Sequence, residues 1–486
     1  MFNEVIKGYS FGVLYGLICL ALALLLYKLG MPKKYTRKVV HILVGFEWII
    51  LYHYLGAGLH FLMVCIFFLL LLIIAYKMRL MPMISSDGEN APGTVYYAVA
   101  MSGVAIVGCF LPEVMLPFGM GIMCTSVGDG IAGVVGQLIT KHNPKIYKNK
   151  SLLGSLANFV ASFVSSLVVS SVYKTGHNVW ECIALAALSV GLELVVGFGL
   201  DNIAITWGVT ALAYAFSYVD GVNAYLVPIL ATPFVIAFVI EKKALTSCGV
   251  AVAILMDVIV TLAFGNFGFV IMISFFLGSI CIDKVKKLAK KQGRTDETAK
   301  RGTRDAVQVV ANGLVPTAFA CAFVFSKGNP LFAVAFVASF AEAFADTAAS
   351  GVGALSNKAF DIFRWRRCEN GISGGMSVIG TIASLVASFA LSALAIPLTN
   401  SAFTYKYFLV SAIAAFAGSV FDSFLGSVLQ VKYRCTVCSV LTEKEAHCDT
   451  VTERAYGIPF VDNDVVNLAS GFFSAILAVF ILVFVI

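Results

Sequence analysis

Long uninterrupted stretches of apolar residues dominate the pattern of the chain. Sixteen such stretches of 16–25 residues are separated by short polar or basic segments. Because a helix needs about 20 mostly apolar residues to cross a bilayer, each stretch predicts one membrane-spanning helix. The predicted spans are 9–28, 39–56, 59–76, 94–111, 118–139, 153–173, 179–199, 203–218, 223–240, 248–264, 267–283, 306–326, 331–355, 374–396, 405–429 and 466–486.

The composition agrees with this pattern. Apolar residues make up 59% of the 486 residues, charged residues only 13%, and the mean hydropathy is +0.91. Such values are typical of polytopic membrane proteins. We therefore predict an all-α polytopic membrane protein with about 16 transmembrane helices.

The basic residues predict the orientation of these helices. Of the 34 Lys and Arg residues, 29 fall in alternate loops, all of which lie inside if the N-terminus is outside. Positive residues concentrate in cytoplasmic loops, so both termini are predicted outside, in the plasma membrane for a prokaryote. The first stretch precedes a basic loop, which argues against a cleavable signal peptide. The net charge of +7 is thus explained without a nucleic-acid partner.

The chain divides into two tandem halves, 1–240 and 241–486. The pattern SVGDGIAGVVG…KSLLGSLANFVASF in the first half resembles FADTAASGVGAL…GISGGMSVIGTIASLVASF in the second. LDNIAIT likewise resembles VDNDVVN. These similarities indicate a duplicated helical architecture. The region around Asp129 in the first half corresponds to the region around Asp346 and Ser373 in the second.

One carboxylate stands out in the first half. Asp129 lies among glycines inside an apolar span, where a charge costs roughly 2.5–3.5 kcal/mol on insertion scales. The downstream segment KSLLGS offers a cation and small donors of the kind that bind phosphate. Its candidate residues are Lys150, Ser151, Gly154 and Ser155.

Two further groups of polar residues accompany Asp129. Arg37, Lys38 and His41 share one face at the start of the second span, either to bind phosphate with His41 as base or donor, or merely to set topology. Glu193 lies inside a span. Asp201 and Asn202 lie at its inner end, where Asp201 could instead cap the next helix.

Together these motifs, RKxxH, GDxxA, KSxxGS and E…DN, resemble the CTP-dependent polyprenol kinase family, which includes dolichol kinase and phytol kinase. The resemblance covers about residues 30–220. It implies phosphoryl transfer from CTP, or sometimes UTP, to a long-chain isoprenoid alcohol. It also implies that nucleotide and metal sit among Asp129, Lys150, Ser151, Gly154 and Ser155.

The second half carries its own intramembrane carboxylates. Glu342, Asp346 and Ser350 are spaced four apart, so they share one helix face. Adjacent carboxylates in a membrane repel or protonate unless a cation joins them. This spacing therefore points to a divalent metal or to a protonation-coupled site.

Other polar residues of the second half follow in order. The glycine-serine turn NGISGGMS suits phosphate binding by backbone N–H groups. Asp462 to Asp464 could alternatively cap the last helix. The candidate residues are Asn312, Ser373, Gly374, Asp422, Ser423, Asn463 and Asp464.

The pieces QVVANG, AEAFADTAASGVG, NGISGGMS, GSVFDSFLGSVLQ and NDVVN resemble the membrane family that contains plant phytyl-phosphate kinase. This resemblance covers about residues 240–486. It implies a kinase that adds a second phosphate to an isoprenyl monophosphate.

A cysteine-containing loop, 430–465, interrupts the second half. Cys435, Cys438 and Cys448 fit the spacing of a zinc knuckle, while free thiols are the alternative in a loop predicted to be cytoplasmic. His447 is the only nearby histidine, and ligands from adjacent residues are awkward geometrically.

The sequence as a whole predicts a bifunctional isoprenoid kinase whose partners are the bilayer, an isoprenoid alcohol, its monophosphate and a nucleotide. Mg²⁺ is assigned to Asp129, with Glu193 or Asp201, in one site and to Glu342, Asp346 and Asp422 in the other. His41 or any of the carboxylates could accept the alcohol proton. Two rivals stay open: a CTP-dependent lipid cytidylyltransferase, and a secondary transporter with intramembrane carboxylates.

Overall fold

A computed structural model describes residues 2–78, 93–139, 143–147, 150–197, 199–291, 303–356, 359–361, 363–368, 373–398 and 405–485. These residues form α-helices joined by short turns and nine short strands. The predicted all-α fold class is confirmed.

The helices of the first half contain long runs of apolar residues, as the hydrophobic pattern requires. They are α1 (Phe2–Lys28), α2 (Lys33–Gly45), α3 (Glu47–Leu55), α4 (Leu59–Lys77), α5 (Gly93–Phe110), α6 (Met115–Met123), α7 (Gly130–Leu138), α8 (Leu152–Tyr173), α9 (Val179–Val195), α10 (Asp201–Tyr218) and α11 (Leu226–Glu241). Two strands, β1 (Lys145–Tyr147) and β2 (Lys150–Ser151), pair antiparallel before α8.

The second half repeats this mixture of long helices and short strands. Its helices are α12 (Ser247–Phe264), α13 (Asn266–Lys291), α14 (Ala306–Phe325), α15 (Pro330–Gly353), α16 (Val378–Ala393), α17 (Ala395–Leu398), α18 (Tyr405–Val428) and α19 (Asn463–Phe484). Its strands are β3 (Ala359–Asp361), β4 (Arg366–Cys368), β5 (Lys432–Arg434), β6 (Leu441–Thr442), β7 (Ala446–His447), β8 (Thr450–Val451) and β9 (Glu453–Tyr456).

Among the described residues, thirteen helical segments are long and apolar enough to cross a membrane. Each of the sixteen predicted spans coincides with helix, and the three outside that set are α9, α10 and α16. The basic segment between the predicted spans 267–283 and 306–326 begins as helix, since α13 continues to Lys291, and residues 292–302 lie outside the described part of the chain.

The chain forms two compact units, Met1–Glu241 and Lys242–Ile486. The core of the first contains Trp48, Phe118 and Ile205, and the core of the second contains Phe336 and Phe340. In each unit one helical segment is largely buried by its neighbours: α6–α7 against α8 and α10, and α15 against α16, α18 and α19. Small residues along these segments permit such close helix packing.

Candidate functional site

Asp129 ends a π-helical turn, Cys124–Asp129, that joins α6 to α7. Turns of this kind occur frequently at functional sites because they shift side chains out of the regular helical register. The Asp129 side chain is buried. Gly128 beside it has no room for a Cβ, which would lie 2.8 Å from Asn158 Oδ1 on α8. The glycine predicted to allow close approach therefore brings the Asp129 turn against α8.

Two residues of α2 reach Asp129. Lys38 Nζ lies 2.6 Å from Asp129 Oδ2 and 3.2 Å from the Asp129 carbonyl oxygen. His41 Nε2 lies 3.1 Å from the Thr125 carbonyl oxygen and 3.6 Å from Asp129 Oδ2. A carbonyl oxygen only accepts hydrogen bonds, so this contact requires a proton on His41 Nε2. In the neutral ring Nδ1 is then the acceptor.

Lys150 joins the other carboxylates of the first unit. Its Nζ lies 2.7 Å from Glu193 Oε1 and 3.8 Å from Asp201 Oδ2. Burial alone would lower the pKa of Lys150, but the Glu193, Asp129 and Asp201 carboxylates outweigh it and hold the pKa above its ordinary value. Asn158 Nδ2 donates to Glu193 Oε2 at 2.6 Å. Glu193 is thus fixed from both sides, as a buried charge requires.

The KSLLGS segment forms the N-terminus of α8. The Ser151 hydroxyl oxygen caps it by accepting from the Gly154 backbone N–H. A Cβ on Gly154 would lie 3.2 Å from the Ala132 carbonyl oxygen, so α7 and α8 are close here. The buried Ser155 hydroxyl has no hydrogen-bond partner among the described residues. The Leu152 and Leu153 backbone N–H groups already donate to the Pro144 carbonyl oxygen and to Asn143 Oδ1. The Ser155 hydroxyl is therefore the group at this helix N-terminus that is suited to bind an anion.

Two candidates of the first unit have other neighbours. Asn202 Nδ2 donates to the Gly93 carbonyl oxygen at 2.9 Å, which ties α10 to the start of α5. Arg37 lines an apolar cleft between α1, α2, α4 and α5, together with His41.

That cleft contains a carboxylate which the sequence analysis did not select. Glu47 lies at the start of α3, is 4% exposed, and its Oε1 has no hydrogen-bond partner among the described residues. Most of the other lining residues are apolar, such as Leu20, Phe68 and Met101. The sequence feature that could have identified Glu47 is its position as the single acid in the apolar run FEWIILYHYL.

The second unit has a polar cavity of about 290 Å³. Its walls come from α14, α15, α16, α18, the start of α19 and the loops between them. Most candidate residues of the second half line this cavity, namely Asp346, Ser350, Ser373, Gly374, Asp422, Ser423 and Asn463.

The carboxylates of this unit meet one another. The Asp346 and Asp422 carboxyl groups interact with each other, and Ser470 Oγ donates to Asp422 Oδ2 at 3.2 Å. Glu342, one helical turn before Asp346, is 2% exposed, and it is not among the residues that line the described cavity. Its Oε1 has no hydrogen-bond partner in the described part of the chain.

The glycine turn before α16 packs directly on α18. Gly374 has φ +91°, and a Cβ there would lie 2.5 Å from the Ser427 backbone nitrogen. Ser377 caps α16 by accepting from the Gly380 N–H. The structural counterpart of Ser151 is therefore Ser377, a residue that the sequence analysis did not select as a candidate.

The remaining candidates of the second unit have structural partners. Asn312 Nδ2 donates to the Gln308 carbonyl oxygen at 2.9 Å within α14. Asp462 caps α19 by accepting from the Asp464 and Val465 N–H groups. This is the capping role that the sequence analysis gave as the alternative to a site role. Asp464 is buried at the first turn of that helix.

Sequence reasoning missed one ion pair at the cavity. Lys432 is fully buried, and its Nζ lies 2.7 Å from Glu443 Oε1, which also accepts from the Ser373 backbone N–H at 3.0 Å. Burial alone would raise the pKa of Glu443, but Lys432 and Ser373 hold it below its ordinary value of about 4.5. Both residues lie in a polar loop, where the sequence gives no sign of burial.

The predicted cysteines do come together. The metal-binding atoms of Cys435, Cys438, Cys448 and His447 all lie within 4.8 Å of one another.

The residues fit a divalent ion differently in the two units. Asp346 and Asp422 meet at the wall of a polar cavity, and Mg²⁺ prefers one or two carboxylates completed by water and phosphate oxygens. Asp129 is already paired with Lys38, so an ion there would have to displace an ammonium group.

Comparisons with known proteins relate this chain to membrane proteins and lipid kinases. Residues 230–475 match the family model "Integral membrane protein DUF92". The chain is 30% identical over 196 residues to the phytol kinase of Synechocystis, a match that covers 38% of this chain and 81% of that protein.

Two further relatives match shorter parts. Protein VTE6, chloroplastic, of Arabidopsis thaliana is 30% identical over 179 residues, covering 35% of this chain and 50% of that protein. The CTP-dependent diacylglycerol kinase 1 of Schizosaccharomyces pombe is 30% identical over 138 residues, covering 26% of this chain and 61% of that protein. No solved structure matches the chain. The chain belongs to the DUF92 family of integral membrane proteins over its second half and also to the family of the Synechocystis phytol kinase.

Proposed function

We propose that the chain is a membrane-embedded lipid kinase with two sites. The first unit phosphorylates an isoprenoid alcohol such as phytol or geranylgeraniol with CTP, and the second converts the monophosphate to the diphosphate. One observation carries the proposal. In both units the helical segment that begins at or contains an intramembrane aspartate, Asp129 or Asp346, packs against a serine-capped helix N-terminus that follows a short strand or bridge.

In the first unit the proposed site combines cations with an apolar cleft. Lys38 and Lys150 lie beside Asp129 and Glu193, where they neutralise the charge that develops during phosphoryl transfer. The Ser155 hydroxyl, in the first turn of α8, donates to a phosphate oxygen. The cleft lined by Leu20, Phe68 and their neighbours accepts the lipid tail.

The reaction needs one proton acceptor for the alcohol. The hydroxyl oxygen attacks the γ-phosphorus of CTP, the bond to the β-phosphate oxygen breaks, CDP leaves, and the hydroxyl proton passes to a base. His41 lines the cleft and has Nδ1 as its acceptor, while Glu47 offers an unpaired oxygen in the same cleft. These two residues are the candidate bases.

In the second unit Asp346 and Asp422 would hold Mg²⁺. When bound, the ion supplies charge neutralisation and orientation of the phosphates. Ser377, the turn at Ser373 and the α16 N-terminus bind the lipid phosphate and the nucleotide. The resemblance of this half to the family of plant phytyl-phosphate kinase supports the second step.

The relatives support a kinase in general terms, since two of them are named for phytol and diacylglycerol kinase activity. We therefore propose a CTP-dependent phosphotransferase, and we infer the isoprenoid acceptor from the Synechocystis relative. The basic loops favour active sites on the cytoplasmic face, where CTP is present.

The test uses purified full-length protein in lipid nanodiscs with CTP labelled at either the γ- or the α-phosphate. Phytol, geranylgeraniol, diacylglycerol and the isoprenyl monophosphates serve as acceptors. We expect γ-label in both the isoprenyl monophosphate and the diphosphate, with CDP as co-product. The diphosphate should also form when the monophosphate is supplied directly.

Three outcomes would contradict the proposal. Transfer of the α-label with release of pyrophosphate indicates a cytidylyltransferase. Label in diacylglycerol alone overturns the isoprenoid acceptor. Flux of a substrate across vesicles without nucleotide turnover indicates the transporter. Asp220→Asn, at an exposed acid that follows the C-terminal end of α10, is the matched control for the aspartate variants described below.

A further inference from the structure

The loop between α18 and α19 contains a compact cluster of sulfur and nitrogen atoms that the proposed kinase chemistry does not use. This loop folds as a three-stranded sheet of order β6-β5-β9 and a hairpin of β7 and β8. Cys435 and Cys438 follow β5, and His447 and Cys448 lie at the hairpin turn. The turn after β5 and the turn of the β7–β8 hairpin are thus brought to one point.

The distances within the cluster match a tetrahedral metal site. Cys438 Sγ and Cys448 Sγ are 3.8 Å apart, and His447 Nδ1 lies 3.4 and 3.3 Å from these two sulfurs. With Zn–S of about 2.3 Å and Zn–N of about 2.0 Å, the tetrahedron edges are roughly 3.8 Å between sulfurs and roughly 3.5 Å between sulfur and nitrogen. A disulfide would require about 2.0 Å between sulfurs.

Backbone geometry removes the objection to adjacent ligands. Cys448 has φ +53° and Asp449 has φ +56°, so the turn after His447 is left-handed. This conformation lets the Cys448 side chain converge with that of His447. It is costly for a cysteine, and a ligand that holds the turn would offset that cost.

The cysteine turn is also arranged for a thiolate. The Val437 backbone N–H donates to Cys435 Sγ at 3.4 Å. Such N–H donors stabilise the thiolate, the form in which cysteine binds metal. Cys435 itself is 1% exposed, which suits a permanently occupied site better than a reactive thiol.

We propose that this loop binds one structural Zn²⁺ through Cys435, Cys438, Cys448 and His447 Nδ1. All four tetrahedral positions are supplied by the protein, which is the pattern of structural rather than catalytic zinc.

The position of the site assigns it a role at the cavity of the second unit. Zinc joins the ends of β5 and the β7–β8 hairpin, and β5 pairs with β6 through Tyr433 and Thr442. Glu443 follows β6 directly and accepts from Lys432 and from the Ser373 N–H. Zinc therefore holds Glu443, and through it the turn at Ser373, against the cavity. That this cavity binds a nucleotide rests on the proposed function, but the zinc site does not.

The first experiment measures metal content. Full-length protein purified in detergent without chelators or a histidine tag should contain about one zinc per chain by mass spectrometry. X-ray absorption at the zinc edge should show three sulfur ligands and one nitrogen. Cys438→Ser and Cys448→Ser should each lose the zinc, whereas Cys281→Ser, an exposed cysteine of α13, should retain it. Absence of zinc, retention in both cluster variants, or a Cys438–Cys448 disulfide would overturn the site.

The second experiment measures the positioning role and needs no enzymatic activity. Removal of zinc by a chelator should speed hydrogen exchange at least tenfold at the amides of 373–376, while the amides at the start of α8 stay unchanged. Unchanged exchange at 373–376 after zinc loss would overturn the positioning role and leave the metal site standing. Failure of the kinase assay with zinc still present would instead count against the proposed function alone.

Discussion

The two units share a backbone framework around their aspartates. In the first, a Cβ on Gly136 would lie 3.1 Å from Ser151 Oγ, and in the second, one on Gly353 would lie 3.1 Å from Ser377 Oγ. The residue before each cap pairs across a short antiparallel bridge, Lys150 with Tyr147 and Met376 with Phe360. The same separations link Asp129 to Gly136 and Asp346 to Gly353.

The charges placed on this framework differ. Lys150 precedes the first cap and joins Glu193 and Asp201, but Met376 stands at the equivalent position of the second unit. There Asp346 meets Asp422, and the nearby Lys432 is held by Glu443.

The two units therefore differ in the source of the positive charge that balances their carboxylates. The first unit neutralises its carboxylates with its own lysines, and the second leaves a carboxylate pair that calls for an external cation. We therefore expect the first step to depend mainly on lysines and the second mainly on Mg²⁺.

The substitution Lys150→Met gives the first unit the residue of the second. We expect the rate of alcohol phosphorylation to fall by about 10²–10³, the range seen when one electrostatic stabiliser is removed. Phosphorylation of supplied monophosphate should be unchanged. Lys150→Arg, which keeps the charge, should lose less, and equal losses in both steps would contradict the difference between the units.

The close approach of helices can be compared by adding a methyl group to each unit. A Cβ on Gly380 would lie 2.8 Å from the Ala349 carbonyl oxygen, whereas one on Gly154 would lie 3.2 Å from that of Ala132. Gly380→Ala should lower the free energy of unfolding by about 1–2 kcal/mol. Gly154→Ala should be near neutral, because alanine gains about 0.5–1 kcal/mol in helix propensity.

Thermal unfolding in detergent measures this pair. Gly197→Ala is the control, since a Cβ there would contact nothing within 4 Å. A larger loss for Gly154→Ala than for Gly380→Ala would show that the contact at α16 is not the tighter one.

The two lysine–glutamate ion pairs, Lys432–Glu443 and Lys150–Glu193, should contribute to stability over different pH ranges. The folded-state pKa of Glu443 is lowered, so its contribution is present above about pH 4.5 and is lost as pH falls through the lowered folded value. The pKa of Lys150 is raised, so its contribution is complete below pH 10.5 and is lost only as pH rises further. Melting temperatures between pH 3 and 7 should show the acid loss in the wild type and a smaller one in Glu443→Gln. An identical acid profile in the variant would remove Glu443 from this account.

Much of the fold could be predicted because the apolar runs are long. Every predicted span coincides with helix, since insertion into a bilayer depends on length and hydropathy, which are local properties. Lys38 and Asp129 are 91 residues apart, yet both were selected, because charges inside or beside spans are rare and costly.

The site features that the sequence analysis missed depend on tertiary contacts, which a local sequence pattern does not reveal. Glu47 and Lys432 become buried only when distant segments pack on them. The capping role of Ser377 was missed because its contact with the Gly380 N–H forms only when the turn and α16 fold together. His447 was discounted because the left-handed φ of Cys448 cannot be read from a sequence lacking glycine there.

The most direct test of two separate sites is a pair of isosteric substitutions. In the labelled-CTP assay, Asp129→Asn should abolish phosphorylation of the alcohol and leave phosphorylation of supplied monophosphate intact. Asp346→Asn should do the reverse and accumulate monophosphate, while Asp220→Asn should match the wild type. If either aspartate variant lost both steps equally, or if both kept both steps, the assignment of one site to each unit would be wrong.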